Sequence, residues 1–168
     1  ALDAVSVGRS TTAAAEAATA MGSATTANGS NSVAMGSSSI ANGASSTAIG
    51  RQATTAATAN NAVSVGFQTS ANAADSIAVG RGANTAAAAT YATAVGHTAR
   101  ANEQHALAIG SSSTANGASS TAIGRVATAS GRAATALGTN VQATAATSVA
   151  IGSNTTADKE NSVALGSN

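Results

Sequence analysis

Asn31-Ser32-Val33-Ala34-Met35-Gly36, Asp75-Ser76-Ile77-Ala78-Val79-Gly80 and Asn161-Ser162-Val163-Ala164-Leu165-Gly166 repeat one pattern. Small residues alternate with larger apolar ones, and a glycine closes the run. Period two sends successive side chains to opposite faces of an extended chain, so each run reads as a β-strand. The closing glycine marks twelve copies: Gly8, Gly22, Gly36, Gly50, Gly66, Gly80, Gly96, Gly110, Gly124, Gly138, Gly152 and Gly166. Their spacing is 14 residues, except for the 50-to-66 and 80-to-96 intervals, which are 16.

After each glycine come a short polar stretch and a second alternating segment, such as Thr25-Thr26-Ala27-Asn28-Gly29. Each repeat therefore reads as two short strands and two turns, stacked as rungs of a β-solenoid. Helical solenoids need about 33 to 47 residues per unit, and a 14-residue unit is too short to supply two packed helices. Twelve rungs spaced by about 4.8 Å give a rod of about 55 to 60 Å. The absence of Pro leaves every ladder hydrogen bond possible. The two 16-residue intervals carry insertions, around Thr55 to Ala57 and Thr85 to Ala88, which are expected to bulge from turns without shifting the strands. The run Gly36-Ser37-Ser38-Ser39-Ile40-Ala41-Asn42-Gly43 returns as Gly110-Ser111-Ser112-Ser113-Thr114-Ala115-Asn116-Gly117, a sign of segmental duplication. Residues 1–168 read as a single repetitive domain.

Composition agrees. One Tyr, one Phe and no Trp among 168 residues cannot build a thick core, while Ala dominates a hydrophobic content of 43%. Seven Lys and Arg against six Asp and Glu, scattered singly along the chain, give a net charge of +1. No basic run points to nucleic acid or to a membrane surface. No apolar stretch is long enough for a transmembrane helix, so no direct membrane insertion is expected of this segment. The chain opens Ala1-Leu2-Asp3 without a charged leader and reads as an excised or mature piece. Zero Cys excludes a disulfide framework and thiolate metal sites.

Size restriction decides which face of the first strand lies inside. Two and four residues before each glycine, every position is Ala or Ser, as in Ala34 with Ser32 and Ala122 with Ser120. A solvent-facing column would drift to longer polar residues, whereas a cramped interior forbids them. These columns are read as the interior, facing Ala27, Ala41, Ala71, Ala101, Ala115, Ala129 and Ala143 of the second strand. The residue immediately before each glycine then points away from the chain's own core: Val7, Met21, Met35, Ile49, Val65, Val79, Val95, Ile109, Ile123, Leu137, Ile151 and Leu165. With the column two residues earlier it forms a stripe of about 500 Å², near the limit that a soluble monomer tolerates. It needs a partner, and these twelve residues are the expected subunit interface. The alternative is a conventional monomeric roll with the larger residues inside.

The quoted hexapeptides resemble the head repeat of YadA-like trimeric autotransporter adhesins, and the resemblance covers essentially the whole chain. It implies a left-handed parallel β-roll, three of them joined side by side through the Val and Ile columns. It implies display on a stalk outside a Gram-negative outer membrane, with neck, stalk and membrane anchor lying elsewhere. It further implies attachment to extracellular matrix such as collagen, to host cells or to other bacteria.

No catalytic constellation, cofactor motif or metal-ligand spacing emerges, so neither an enzyme nor a cofactor is expected. His97 and His105 read as surface residues on turns, and Asp3, Asp75 and Asp158 are too few for a calcium-binding nonapeptide roll. Arg9, Arg51, Arg81 and Arg125 share the position after the glycine and line one edge, either as solvated charge or as contacts for an acidic ligand. Phe67 shares that position, and Tyr91 falls by the second insertion, either one a possible exposed anchor. Two other functions stay open: a passive spacer within a surface fibre, and an ice-binding solenoid, which would need a flat Thr-x-Thr array.

Overall fold

A computed structural model describes residues 2–167. Twelve strands, from Val5–Arg9 to Val163–Ser167, form one parallel sheet in sequence order, and eleven two-residue strands, from Thr12–Ala13 to Thr156–Ala157, form a second. The chain alternates between the two sheets, so each repeat is one rung. No strand leaves this order, and among the described residues there is no helix.

The register is in phase throughout. Ser6 pairs with Ala20, Ala122 with Ala136, and Ala150 with Ala164. Across the insertions the phase is kept, with Ala48 opposite Ser64 and Ala78 opposite Ala94. The apolar column therefore stays on one face, as the sequence predicts.

The interior is as narrow as its columns suggest. In the ten inner rungs every residue two and four places before the glycine is buried, and only the end rungs leave theirs partly open. The seven facing alanines, Ala27 to Ala143, are fully buried. Val141 is the largest fully buried side chain, so the core is filled almost wholly by Ala, Ser and Thr. Such small side chains bring little apolar area each; the rod depends equally on its continuous backbone ladder. That ladder extends into the turns, for example from the Asn28 N–H to the Ala41 carbonyl at 2.8 Å.

Glycine closes each long strand for a steric reason. At Gly36, with φ of 125°, an added Cβ would stand 2.6 Å from the carbonyl oxygen of Gly50 in the next rung. Two other positions per rung are left-handed, and there glycine is almost absent. They lie five residues before and two residues after the glycine, and are held by Asn31, Ser38, Asp75, His105, Val126 and their equivalents, with Gly82 the single glycine. Asn, Asp and Ser tolerate this region best; Val126 does not, having a β-branched side chain at φ 59°.

The insertions follow a common design. Each adds a turn, at Ala57–Thr58 or Ala87–Ala88, after the short strand. Each is accompanied by a buried Thr, Thr55 or Thr85, where other inner rungs bury Ala. In a regular rung the Asn102 N–H donates to the Ala115 carbonyl. Beside the insertions the corresponding Asn42 and Asn72 N–H groups donate to the Thr55 and Thr85 hydroxyls, at 3.1 and 3.2 Å. In the turn that follows the first insertion the Asn60 side chain accepts from the Ala44 N–H at 3.0 Å, and Asn72 Nδ2 donates to the Thr85 carbonyl at 2.9 Å. Side chains thus replace the ladder partners that the bulge displaces.

Candidate functional site: the outer faces of the roll

Inward-facing Ala and Ser force the alternate residues of the first sheet outward. All twelve residues preceding the glycines stand on its outer face, each exposed or half-buried. Met21 and Met35 are 37% exposed, Ile49 38% and Leu137 42%, values typical of a surface and not of a core. Val7 and Leu165, on the end rungs, are more open still. Beside them run Val5, Thr19, Val33, Thr47, Val63, Ile77, Thr93, Leu107, Thr121, Thr135, Val149 and Val163. The result is an apolar ribbon along the rod that no element among the described residues covers. This excludes the conventional roll in which the larger residues would be internal.

The second sheet presents a polar face. Asn28 Nδ2 donates to Asn42 Oδ1 at 2.8 Å and Asn102 Nδ2 to Asn116 Oδ1 at 2.7 Å, rung upon rung. Thr26, Thr114 and Thr128 alternate there with Ile40, Ser70, Asn84, Arg100 and Gln142. The array is too mixed for the regular Thr lattice that an ice-binding face requires.

The two edges differ in charge. Arg9, Arg51, Arg81, Arg125 and His97 all follow the glycine, on the turn that leaves the first sheet. All six acids, Asp3, Glu16, Asp75, Glu103, Asp158 and Glu160, lie in or beside the opposite turn, which leads back into the first sheet. Arg132 and Lys159 also lie on that turn, but the acids are confined to it although scattered singly in sequence, because a solenoid stacks equivalent turn positions. Lys159–Asp158, at 3.7 Å, is the single ion pair among the described residues.

The aromatic residues sit on these edges. Phe67 is half-buried, with the Arg51 guanidinium 4.1 Å from its ring centroid and that of Arg81 at 5.9 Å. It is therefore packed beneath a cation rather than presented as an open anchor. Tyr91 belongs to the regular turn after the inserted one; it is exposed and stacks on His105 of the next rung at 5.2 Å between centroids. Both histidines are on exposed turns, with His97 Nδ1 3.5 Å from the Thr98 hydroxyl. Among the described residues, no three of His, Asp and Glu gather as a metal site would require.

Sequence reasoning found the arginine edge but missed the buried hydroxyl pairs and the acidic edge opposite. Thr in place of Ala at positions 55 and 85 was the available signal for the first. Reading the charges by repeat position, and not by sequence distance, reveals the second.

Comparison with known proteins agrees with this geometry. No curated protein matches the chain. Among solved structures, the crystal structure of the collagen-binding domain of the Yersinia adhesin YadA is similar at a TM-score of 0.59 and 24% identity, over 100% of this chain and 83% of that one. At that identity the likeness is one of fold. The YadA head domain repeat matches residues 27–53, 57–83, 87–113, 101–127, 115–140 and 143–168, most of the rod in phase with its rungs, and the chain belongs to the YadA head family.

Proposed function

We propose that the chain is a non-enzymatic adhesin head, that three copies associate through the apolar ribbon, and that the assembled rod attaches bacteria to host extracellular matrix. The observation that carries the reading is the ribbon itself, continuous from Val7 to Leu165 and uncovered among the described residues. Burying one Val, Ile, Leu or Met contributes about 1.5 to 3 kcal/mol. Twelve partly exposed ones per copy supply a driving force that only a long, matching apolar surface can use. The family supports display on the bacterial surface, and three copies with a Gram-negative outer membrane behind them are the arrangement proposed here.

Collagen is the first candidate ligand, since the similar Yersinia domain is described as collagen-binding. The rod offers a repetitive polar face and no deep pocket built for a single group, so attachment is distributed over many weak contacts that together give avidity. Immobilised collagen, fibronectin and laminin are to be probed with the intact head and with versions shortened by two, four and six rungs. Binding that falls progressively with length supports the reading. No binding to any of the three favours the spacer role, and abolition by one surface substitution with assembly intact refutes distributed attachment.

A further inference from the structure

The charged edges carry an inference about how copies meet, which rests on the three-copy assembly proposed above. Three first sheets closed around an axis parallel to the rod run in one rotational sense. The turn that leaves each strand therefore meets the turn that enters the strand of the next copy, a heterologous contact that closes into a ring. Rotation about the axis also keeps every residue at its own height.

We propose that adjacent copies are joined along their edges by ion pairs in register, Arg81 with Asp75 of the next copy and Arg9 with Asp3 of the next copy. Each pair is formed by residues six apart in sequence on opposite edges of one rung. A strand of the first sheet lies between the two residues and holds them at opposite edges, up to about 20 Å apart, so they do not meet within one chain. Among the described residues none of the four has an ion-pair partner in its own chain. Asp75 is held by Asn61 Nδ2 at 3.0 Å, and Arg81 lies over Phe67 at 5.9 Å, which keeps both at their edges. On the same geometry His97 approaches the stacked Tyr91 and His105 of the next copy. Arg51 and Arg125 meet Ser45 and Ser119 and stay unpaired. Like charges would be opposed if a copy were reversed, so the edges select the parallel arrangement.

The chain has no Cys, which permits a direct test with the variant Asp75→Cys/Arg81→Cys. An intrachain disulfide would require Cα atoms within about 7 Å and is excluded. Oxidation, or a short bismaleimide, is expected to give covalent dimers and closed trimers on a denaturing gel, while each single variant stays monomeric. Light scattering is run on the same samples. A trimer mass without cross-links overturns the edge pairing alone, whereas the 15.6 kDa mass of one chain overturns the assembly with it. A second measurement is independent of cysteine placement. Arg81→Asp is expected to raise the dissociation midpoint on dilution about tenfold or more, summed over three interfaces, and Arg81→Asp/Asp75→Arg to restore it. A double variant no better than the single one overturns the pairing.

Discussion

The hydroxyls of Thr55 and Ser46 lie 2.8 Å apart across the interior of the roll, and those of Thr85 and Ser76 repeat the contact at 2.9 Å. Both pairs sit in the rungs that carry two extra residues. Thr55 is also the acceptor for the Asn42 N–H, so its hydroxyl serves the ladder and the core together.

Thr55→Val keeps the shape and removes the hydroxyl, leaving a buried amide and a buried serine without it. A loss of about 1 to 3 kcal/mol is expected in denaturant unfolding. Deleting Ala57 and Thr58 restores a 14-residue rung, in which Ala suffices elsewhere. In that background Thr55→Ala is expected to cost almost nothing, and an equal cost in both backgrounds would show that the Thr does not serve the insertion.

Ala122 and Ile123 are neighbours with opposite duties, the first fully buried and the second on the outer face. Ala122→Leu overpacks the interior and is expected to cost about 1 to 3 kcal/mol or more of rod stability. Ile123→Asp is expected to leave the unfolding of an isolated chain nearly unchanged and to lower the association constant. Thermal unfolding read beside light scattering separates the two effects.

Gly36 and Gly82 have unequal needs. An added Cβ at Gly36 meets the Gly50 carbonyl oxygen at 2.6 Å, whereas at Gly82 its nearest neighbour is Thr98 Cγ2 at 3.4 Å. Gly36→Ala is expected to cost several times more stability than Gly82→Asn, since Asn140 and Asn154 occupy the position of Gly82 in other rungs. Midpoint shifts in denaturant at unchanged slope check this.

Val126 should be improvable. Its φ of 59° is costly for a β-branched residue, and Val126→Asn is expected to stabilise the rod by about 1 kcal/mol, seen as a higher unfolding temperature.

The rungs, the register and the inward face could all be read from the sequence because one restriction acts at every copy. A side chain larger than Ala or Ser does not fit at Ala34 or Ser120, so the columns record the interior directly. The turns were less legible. Left-handed residues such as Ser45, Gln68 and Thr147 are fixed by the path of the chain and carry no consistent residue type. The acidic edge was hidden for a different reason, since Asp75 and Arg81 are neighbours in sequence and lie on opposite sides of the molecule.

The hydrogen-bond ladder runs along the length of the rod, as from the Asn28 N–H to the Ala41 carbonyl and from the Asn102 N–H to the Ala115 carbonyl. A pull applied along that axis loads these bonds end on, one interface at a time, instead of shearing many together. Because each rung touches chiefly its two neighbours, a single strained chain would tear stepwise. Every 14-residue rung that peels away frees about 45 to 50 Å of extended chain where it had occupied about 4.8 Å. Such a rod yields gradually under tension, each lost rung lengthening about tenfold while the remaining rungs stay intact. Lateral partners clamped along the whole ribbon would set the force at which peeling begins, so an attachment fibre of this kind would owe its tensile strength to the seams between its chains.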